Sequence, residues 1–366
     1  MRAYLTDYRT AWSDVVKRIE DIKYPQSVHL FEDCFKKLST GLSYVPHKVA
    51  EKVMDPVLCK GLRASNVKTA FILASGNSHF AGISPRFYDN SLSYTYKFLP
   101  LTLSQVYAGR VGQALGATDY ITTDATACAS SLKVMMDVLH LIKLYDFDRV
   151  IVLSVEDSVS NSTLEFFGEA RANITPQQED SGILPSAFDK TNQGFRVAQG
   201  AVLAVFESET IATNPKAELL GAYTASEECS NAIGQREDGQ GFTRAILGSM
   251  RMAKLLTQDI HVIKTHGTGT ASNNVSEKNG ITKVFDRFMA TSLKPKIGHT
   301  MGASGLLETC LLMDDMSQGF ISPILNRTEK DSVFISEPVE TQGGNILSLA
   351  AGMGNVYSSA IFNTRV

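Results

Sequence analysis

Cys128 sits in Asp124-Ala125-Thr126-Ala127-Cys128-Ala129-Ser130-Ser131. The residues before it, Asp119-Tyr120-Ile121-Thr122-Thr123, are rich in β-branched types and predict a short strand. After it, Leu132, Met135, Met136, Leu139 and Ile142 recur at three- and four-residue steps, which predicts a helix to about Tyr145. The cysteine therefore stands at a strand-to-helix turn. Free N–H groups and a partial positive charge at the start of a helix favour a thiolate, which is the nucleophilic form. Small residues on both sides leave room for a substrate. An inert buried cysteine is the alternative, and two histidines weigh against it. His266 heads His266-Gly267-Thr268-Gly269-Thr270, straight after the strand-like run from Ile260 to Thr265. His299 closes Lys294-Pro295-Lys296-Ile297-Gly298-His299, just before a helix of small residues, Gly302 to Met316. One cysteine and two histidines, each at the mouth of a regular element, form a candidate set for nucleophilic catalysis.

The elements that must position these groups alternate along the chain. Residues 2–6 read as a short strand, and residues 11–22 as a helix with Trp12, Val15, Val16, Ile19 and Ile22 on one face. From about 23 to 66 the pattern is mixed helix and loop. Residues 67–76 predict a strand ending in a glycine turn, residues 81–100 a loop, and Leu103 to Leu115 a helix stopped by Gly116. His79, just after the first of these, reads as a surface residue. Arg149 to Val155 and Ala201 to Phe206 are nearly continuous apolar runs, as expected of strands buried on both faces. Residues 156–187 are polar and broken, an inserted loop region with some helix. A second half begins at Asn214-Pro215. It holds a strand from Ala217 to Thr224, a helix from Phe242 to Leu256, a helix from Glu277 to Phe288, and strand-like segments at 289–293, 346–350 and 357–362. Such alternation predicts an α/β layered fold with helices packed on a largely parallel sheet. No short-period repeat is visible, which argues against a solenoid.

Composition narrows the function classes. The 366 residues are 43% hydrophobic and 20% charged, with a net charge of −3 and no basic tract, so nothing points to nucleic acid. No apolar run reaches bilayer-spanning length, and Met1-Arg2-Ala3-Tyr4-Leu5-Thr6-Asp7 lacks a signal-peptide core. A cytoplasmic protein is expected. The five cysteines (34, 59, 128, 229 and 310) are odd in number and widely spaced, which fits a reduced compartment. No metal, nucleotide or flavin motif is present, so no cofactor is expected.

Taken together, Thr126-Ala127-Cys128-Ala129-Ser130-Ser131, His266-Gly267-Thr268-Gly269-Thr270, the stretch Lys294 to Gly305, Phe188-Asp189 with Gly194-Phe195, and Gly352-Met353-Gly354 resemble the β-ketoacyl-acyl-carrier-protein synthases of the Cys-His-His type. The resemblance covers about residues 65–366 and implies a thiolase-like fold, a duplicated αβαβα layered architecture. The expected halves are 1–213, carrying the cysteine, and 214–366, carrying the two histidines.

The resemblance also implies roles. Cys128 would take an acyl group from a thioester. His266 and His299 would hold the enolate formed when a malonyl-type thioester on an acyl carrier protein loses its carboxylate. The product is a β-ketoacyl chain, in fatty acid or polyketide synthesis. Lys294 would support the site electrostatically, with Glu277 as its carboxylate partner, whereas Lys296 reads as a solvated lysine. Thr268 and Thr270 would contact the phosphopantetheine arm that carries the substrates, with local turn bonding as the alternative. The backbone N–H groups of Cys128 and Met353 would form the oxyanion hole, and Met353 would also line the substrate path. A homodimer is expected, or a heterodimer with a chain-length-factor partner in which this chain, having Cys128, is the active half.

Four positions depart from the family pattern. Met353 replaces a gating phenylalanine, Asn274 an aspartate, Tyr357 an asparagine and Gln199 a glutamate. They suggest a divergent, secondary-metabolic enzyme. A thiolase would need a second reactive cysteine near the C-terminus, and Cys310 lies too early. An initiating enzyme of the Cys-His-Asn type would carry asparagine in place of His299. A non-decarboxylative acyltransferase of the same fold is a further alternative. A pure binding module leaves Cys128, His266 and His299 unexplained.

Overall fold

The computed structural model describes residues 1–14, 47–76, 103–191, 194–228, 233–329 and 332–365. The helix read over 15–22, the loop read over 81–100, His79, Cys34 and Cys229 lie outside the described residues.

The strands are β1 (Ala3–Asp14), β2 (Thr69–Ala74), β3 (Tyr120–Asp124), β4 (Arg149–Glu156), β5 (Ala198–Ser208), β6 (Ala217–Ser226), β7 (Ile260–Lys264), β8 (Ala290–Thr291), β9 (Phe320–Ile321), β10 (Val339–Glu340), β11 (Asn345–Gly352) and β12 (Val356–Asn363). The helices that matter here are α1 (Pro56–Ala64), α2 (Ser104–Ala114), α3 (Ser130–Leu144), α4 (Asn161–Glu169), α5 (Gln240–Ala253), α6 (Ala271–Thr282) and α7 (Ser304–Ser317). Ten strands form one sheet in the order β3-β2-β4-β5-β1-β6-β12-β11-β7-β8, while β9 and β10 pair separately.

The sheet has a hidden symmetry. Outward from β1, the pairings to β5 and then β4 are antiparallel, and those to β2 and then β3 are parallel. Outward from β6, the pairings to β12 and β11 are antiparallel, and those to β7 and β8 are parallel. The two flanks meet through a short antiparallel contact, Tyr4 opposite Glu218 and Leu5 opposite Ala217. The fold is therefore duplicated, as expected, although the sequence shows no repeat.

Strand side chains alternate between faces, and the alternation sorts them into layers. Ala70, Ile72, Val150 and Val152 point into a central layer with Leu132, Met135 and Leu139 of α3 and Leu306, Leu307 and Met313 of α7. The intervening Phe71, Leu73, Ile151 and Leu153 pack outward against Leu62 of α1 and Tyr107 and Val111 of α2. In the other flank, Ile263, Leu347 and Leu349 pack outward against Phe242 and Ile246 of α5 and Ile281 of α6. Helix α3, which follows Cys128, and helix α7, which follows His299, thus lie sandwiched between the flanks. A strand covered on both faces carries no polar stripe, which is why β2, β4 and β5 read as apolar runs.

Two expectations on element limits are corrected. Residues 11–14 continue β1 and are not helical, because the strand pairs along its whole length with β5, from Ala3 opposite Ser208 to Asp14 opposite Ala198. The helix read from 277 to 288 in fact runs Ala271–Thr282. Its buried face is polar, with Asn273, Asn274, Ser276 and Glu277 inside, so apolar periodicity misplaces it.

Candidate active site

Two strand-to-helix turns, one from each flank, make the floor of the site. Thr126 donates from its backbone N and its hydroxyl to Asp124 Oδ1, at 3.2 and 2.6 Å, which shapes the exit from β3. Ala127 then adopts φ of +48°, and a 3-10 turn, Ala127–Ala129, carries Cys128 into α3. In the other flank Met301 adopts φ of +43°, and the 3-10 turn Met301–Ala303 leads into α7. The left-handed region costs a residue with a side chain about 1–2 kcal/mol, and it persists where surrounding packing over-determines it. Here the two strained turns abut. A Cβ added to Gly302 would lie 3.1 Å from Ala127 O and 2.6 Å from Glu156 Oε1. Likewise a Cβ on Gly305 would lie 2.6 Å from Leu132 Cγ, and Leu306 N donates to Ser131 Oγ at 3.1 Å. The run of small residues before α7 thus exists to let the two helix starts cross.

Above the floor, Gly76, Ala127, Cys128, Thr163, Phe166, Phe167, Met301 and Met353 line a half-open cavity of about 290 Å³. Its walls are almost wholly apolar. Met353 follows Gly352 at the end of β11, and a Cβ on Gly352 would lie 2.6 Å from Thr126 O and 3.3 Å from Ala129 N. This close backbone approach brings Met353 beside the Cys128 turn.

His266 follows β7 and is buried. Glu277 of α6 accepts its backbone N–H at 2.5 Å, that of Gly267 at 2.9 Å and the Asn273 amide at 2.9 Å. The His266 Nδ1 has no hydrogen-bond partner among the described residues. The ring of His299 lies 5.5 Å from that of His266, nearly perpendicular at 82°. His299 is tethered by its own backbone: its N donates to Arg196 O at 2.7 Å, and its O accepts from Ala198 N at 3.0 Å. The edge of Phe195 packs against its ring at 4.8 Å, and Phe195 belongs to the small apolar cluster on which Cys128 rests. Its Nδ1 is 2.8 Å from Ser304 Oγ, which also accepts from Thr300 N at 3.1 Å. The same hydroxyl lies 3.2 Å from Thr300 Oγ1, so Ser304 and Thr300 hold the Nδ1 side of the His299 ring and leave Nε2 as its other polar atom.

Lys294 begins a single helical turn, Lys294–Ile297, and is fully buried. Its partner is not Glu277 but Glu308 of α7, at 2.7 Å. Glu277 is occupied in tying the His266-Gly267 turn to α6. Lys264 at the end of β7 reaches the other oxygen of Glu308, at 3.2 Å, and donates to Leu349 O at 3.0 Å. Lys296 is exposed, as its sequence context predicts. Thr268 and Thr270 bond to each other, Oγ1 to Oγ1, at 3.0 Å.

Burial dominates the electrostatics. It holds both imidazoles well below the usual histidine value, and the neighbouring Lys294 ammonium lowers each further. Both are therefore neutral near pH 7. Burial also pushes the Cys128 thiol up to about 12, against the lowering influence of Lys294. This corrects the expectation of an acidic thiol: in an apolar cavity desolvation outweighs the helix start.

The structure thus gathers Cys128, His266, His299, Lys294 and Met353 around two turns, with Thr268 and Thr270 on the His266 loop and Glu277 on α6 holding that loop. Sequence reasoning missed Glu308 and Lys264. The signal was present, since each is a charged residue inside an otherwise apolar element, Leu306-Leu307-Glu308 and Val262-Ile263-Lys264. Three of the departures from the family pattern have local partners. Tyr357 donates to the Glu227 carboxylate and lies flat over Gly241, where any Cβ would collide with its ring. Asn274 accepts from Phe188 N at 3.0 Å, and Gln199 donates to Ser13 Oγ at 3.1 Å.

Comparison with known proteins shows the family to which the chain belongs. The family profile of the β-ketoacyl synthase N-terminal domain matches residues 49–212, and that of its C-terminal domain matches residues 216–328. A putative mitochondrial 3-oxoacyl-[acyl-carrier-protein] synthase of Schizosaccharomyces pombe is 26% identical over 245 residues, 63% of this chain and 57% of that protein. The ketoacyl synthase alpha subunit of the tetracenomycin polyketide synthase of Streptomyces glaucescens is 26% identical over 280 residues, 72% of this chain and 64% of that protein. The chain therefore spans less than two thirds of the length of either relative. Among solved structures, the AntDE:AntF complex, a type II polyketide synthase acyl-carrier protein with its ketosynthase bound to the hexaketide, superposes with a TM-score of 0.79 at 18% identity. That match covers 100% of this chain and 99% of the other and shows a shared fold.

Proposed function

Because this chain belongs to the β-ketoacyl synthase family, we propose that it joins an acyl group to a malonyl-type unit by decarboxylative Claisen condensation, with Cys128 as nucleophile. One observation carries the reading: two abutting strained turns set Cys128 beside an apolar cavity, while two neutral, buried imidazoles sit 5.5 Å apart on the other flank.

The chemistry divides into two transfers. In the first, Cys128 Sγ attacks an acyl thioester, and the carrier's phosphopantetheine thiol leaves with the proton. The backbone N–H groups of Cys128 and Met353 are the donors for the oxyanion. In the second, a malonyl-type thioester releases carbon dioxide, and the electron pair of the broken C–C bond becomes an enolate. His266 and His299 donate to the enolate oxygen. Fixed donors at a developing charge are commonly the largest catalytic contribution. The carbanion then attacks the acyl carbon on Cys128, the thiolate leaves, and a β-ketoacyl chain departs on the carrier. No separate cofactor enters this scheme.

The substrate carrier in this reading is an acyl carrier protein, with Thr268 and Thr270 at its pantetheine arm. The assembly is a homodimer or a heterodimer of the alpha-subunit kind, and the halves divide near residues 213 and 214. A cytoplasmic setting fits the free thiols Cys59, Cys128 and Cys310. Among the described residues no helix is long and apolar enough to cross a membrane. Intact-mass analysis with a panel of acyl carrier proteins tests the reading. An acyl adduct on Cys128 and carbon dioxide release upon adding a malonyl carrier support it, and no adduct from any donor overturns it.

Two further outcomes follow. Gly352→Ala drives a methyl into Thr126 O and displaces the Cys128 turn. Misplacement by about 1 Å costs on the order of 10²-fold, so acyl loading measured by rapid-quench mass analysis should slow about 10²-fold with the fold intact by circular dichroism. Met353 is flexible where a stiff ring is usual, so loading across an acyl-length series should tolerate long or branched chains. A strict preference for the shortest donors would count against the Met353 argument.

A further inference from the structure

We propose that Lys264 is a second positioning lysine of this site, clamping Glu308 together with Lys294 and setting the charge felt by both imidazoles. The inference rests on the condensing reading above but is tested apart from it. Glu308 uses both oxygens, Oε1 for Lys294 at 2.7 Å and Oε2 for Lys264 at 3.2 Å. All three side chains are buried, with side-chain exposure of 0 to 1%.

The placement is specific. Lys264 ends β7, two residues before His266, Glu308 lies on α7, which follows the Met301–Ala303 turn, and the Leu349 carbonyl lies on β11, three residues before Gly352. One ammonium therefore joins the three elements that deliver His266, the His299 turn and Met353. Ion pairs this deep return little net stability, because desolvation cancels most of the attraction. Their use is orientation and field.

The charged groups facing the pair are few. Lys264 and Lys294 face Glu308 from α7 and Glu277 from α6, and Glu156 of β4 faces Cys128. Glu277 is saturated by the N–H groups of His266 and Gly267 and by Asn273. With Lys294 alone, Glu308 would neutralise the single cation. With Lys264 present, Lys294 shares its carboxylate and keeps more positive potential toward the imidazoles. Both lysines lower each ring's proton affinity.

The test is Lys264→Met, with Lys264→Arg as the charge-conserving control, each checked by thermal melting. Histidine carbon resonances are followed from pH 8 down to the acid limit of the folded protein, together with carbon dioxide release from a malonyl carrier. The sign follows from the charge: losing a nearby cation eases protonation of the imidazoles. In Lys264→Met the imidazole titration and the acid limb of decarboxylation should move to higher pH by about one unit, and Lys264→Arg should restore both. A folded Lys264→Met protein with unmoved titrations and a rate lowered equally at every pH would overturn the proposal. If methionine prevents folding, Lys264→Gln, which keeps a donor without the charge, carries the same test. If the parent releases no carbon dioxide, the condensing reading fails, and the titrations alone decide Lys264.

Discussion

Replacing Cys128 by alanine is expected to abolish acyl loading and to lower condensation by about 10⁶-fold, the scale on which loss of a covalent nucleophile registers. Intact-mass analysis of the variant should show no acyl adduct with any donor that loads the parent. Acidity is not what singles this cysteine out. Burial pushes the Cys59 thiol up to about 12 as well, and Cys310 well above its ordinary value. What distinguishes Cys128 is access: Cys59 and Cys310 are 3% and 0% exposed, whereas Cys128 lines the cavity. Among the described cysteines, iodoacetamide should therefore mark Cys128 first. Its alkylation rate should climb about tenfold per pH unit through pH 8 to 10, because the thiolate fraction is still rising below a value near 12. A plateau below pH 8.5 would mean that the helix start and Lys294 overcome desolvation. Labelling spread evenly over all five cysteines would remove Cys128 from its role.

The parts of this molecule that were legible in the sequence share one property. Strands β2, β4, β5 and β7 and helices α3 and α7 are covered by apolar neighbours, so their limits show in the order of apolar residues. Helix α6 shows the reverse. It buries Asn273, Asn274 and Glu277 to hold the His266 loop, and a helix with a polar inner face leaves no apolar period to find. The site divides along the same line. Cys128, His266 and His299 stand at element ends, where local sequence marks a turn. The carboxylate of Lys294 had to be chosen between Glu277 and Glu308, and only the packing of α7 beneath both lysines decides it. The duplication was legible only through the family resemblance: it is preserved in strand pairing and in the matched backbone of Ala127 and Met301, not in residue types. Sterics, not side-chain chemistry, keep the two turns alike.

His299→Ala is expected to spare acyl loading while lowering decarboxylation by about 10²–10³-fold, the usual effect of removing one preorganised donor at a developing oxyanion. In the proposed reaction the two steps separate because they would use different donors. Loading would draw on backbone N–H groups beside Cys128, which the substitution leaves in place. Decarboxylation in the proposed reaction would draw on the imidazoles, and His299 is the one whose ring is held through Nδ1 by Ser304, which fixes the direction of Nε2. His266→Ala should show the same split. The pH dependence gives an independent check with a definite sign. Burial and Lys294 hold both imidazoles well below 6.5, so the neutral, donating form persists as pH falls through that value. Carbon dioxide release from acyl-loaded enzyme should stay level from pH 7.5 down past 6.5 and decline only in more acid solution. A limb centred at 6.5 would mean that the rings are solvated during turnover. Full decarboxylation rates in both histidine variants would mean that the enolate is held by something other than these two rings.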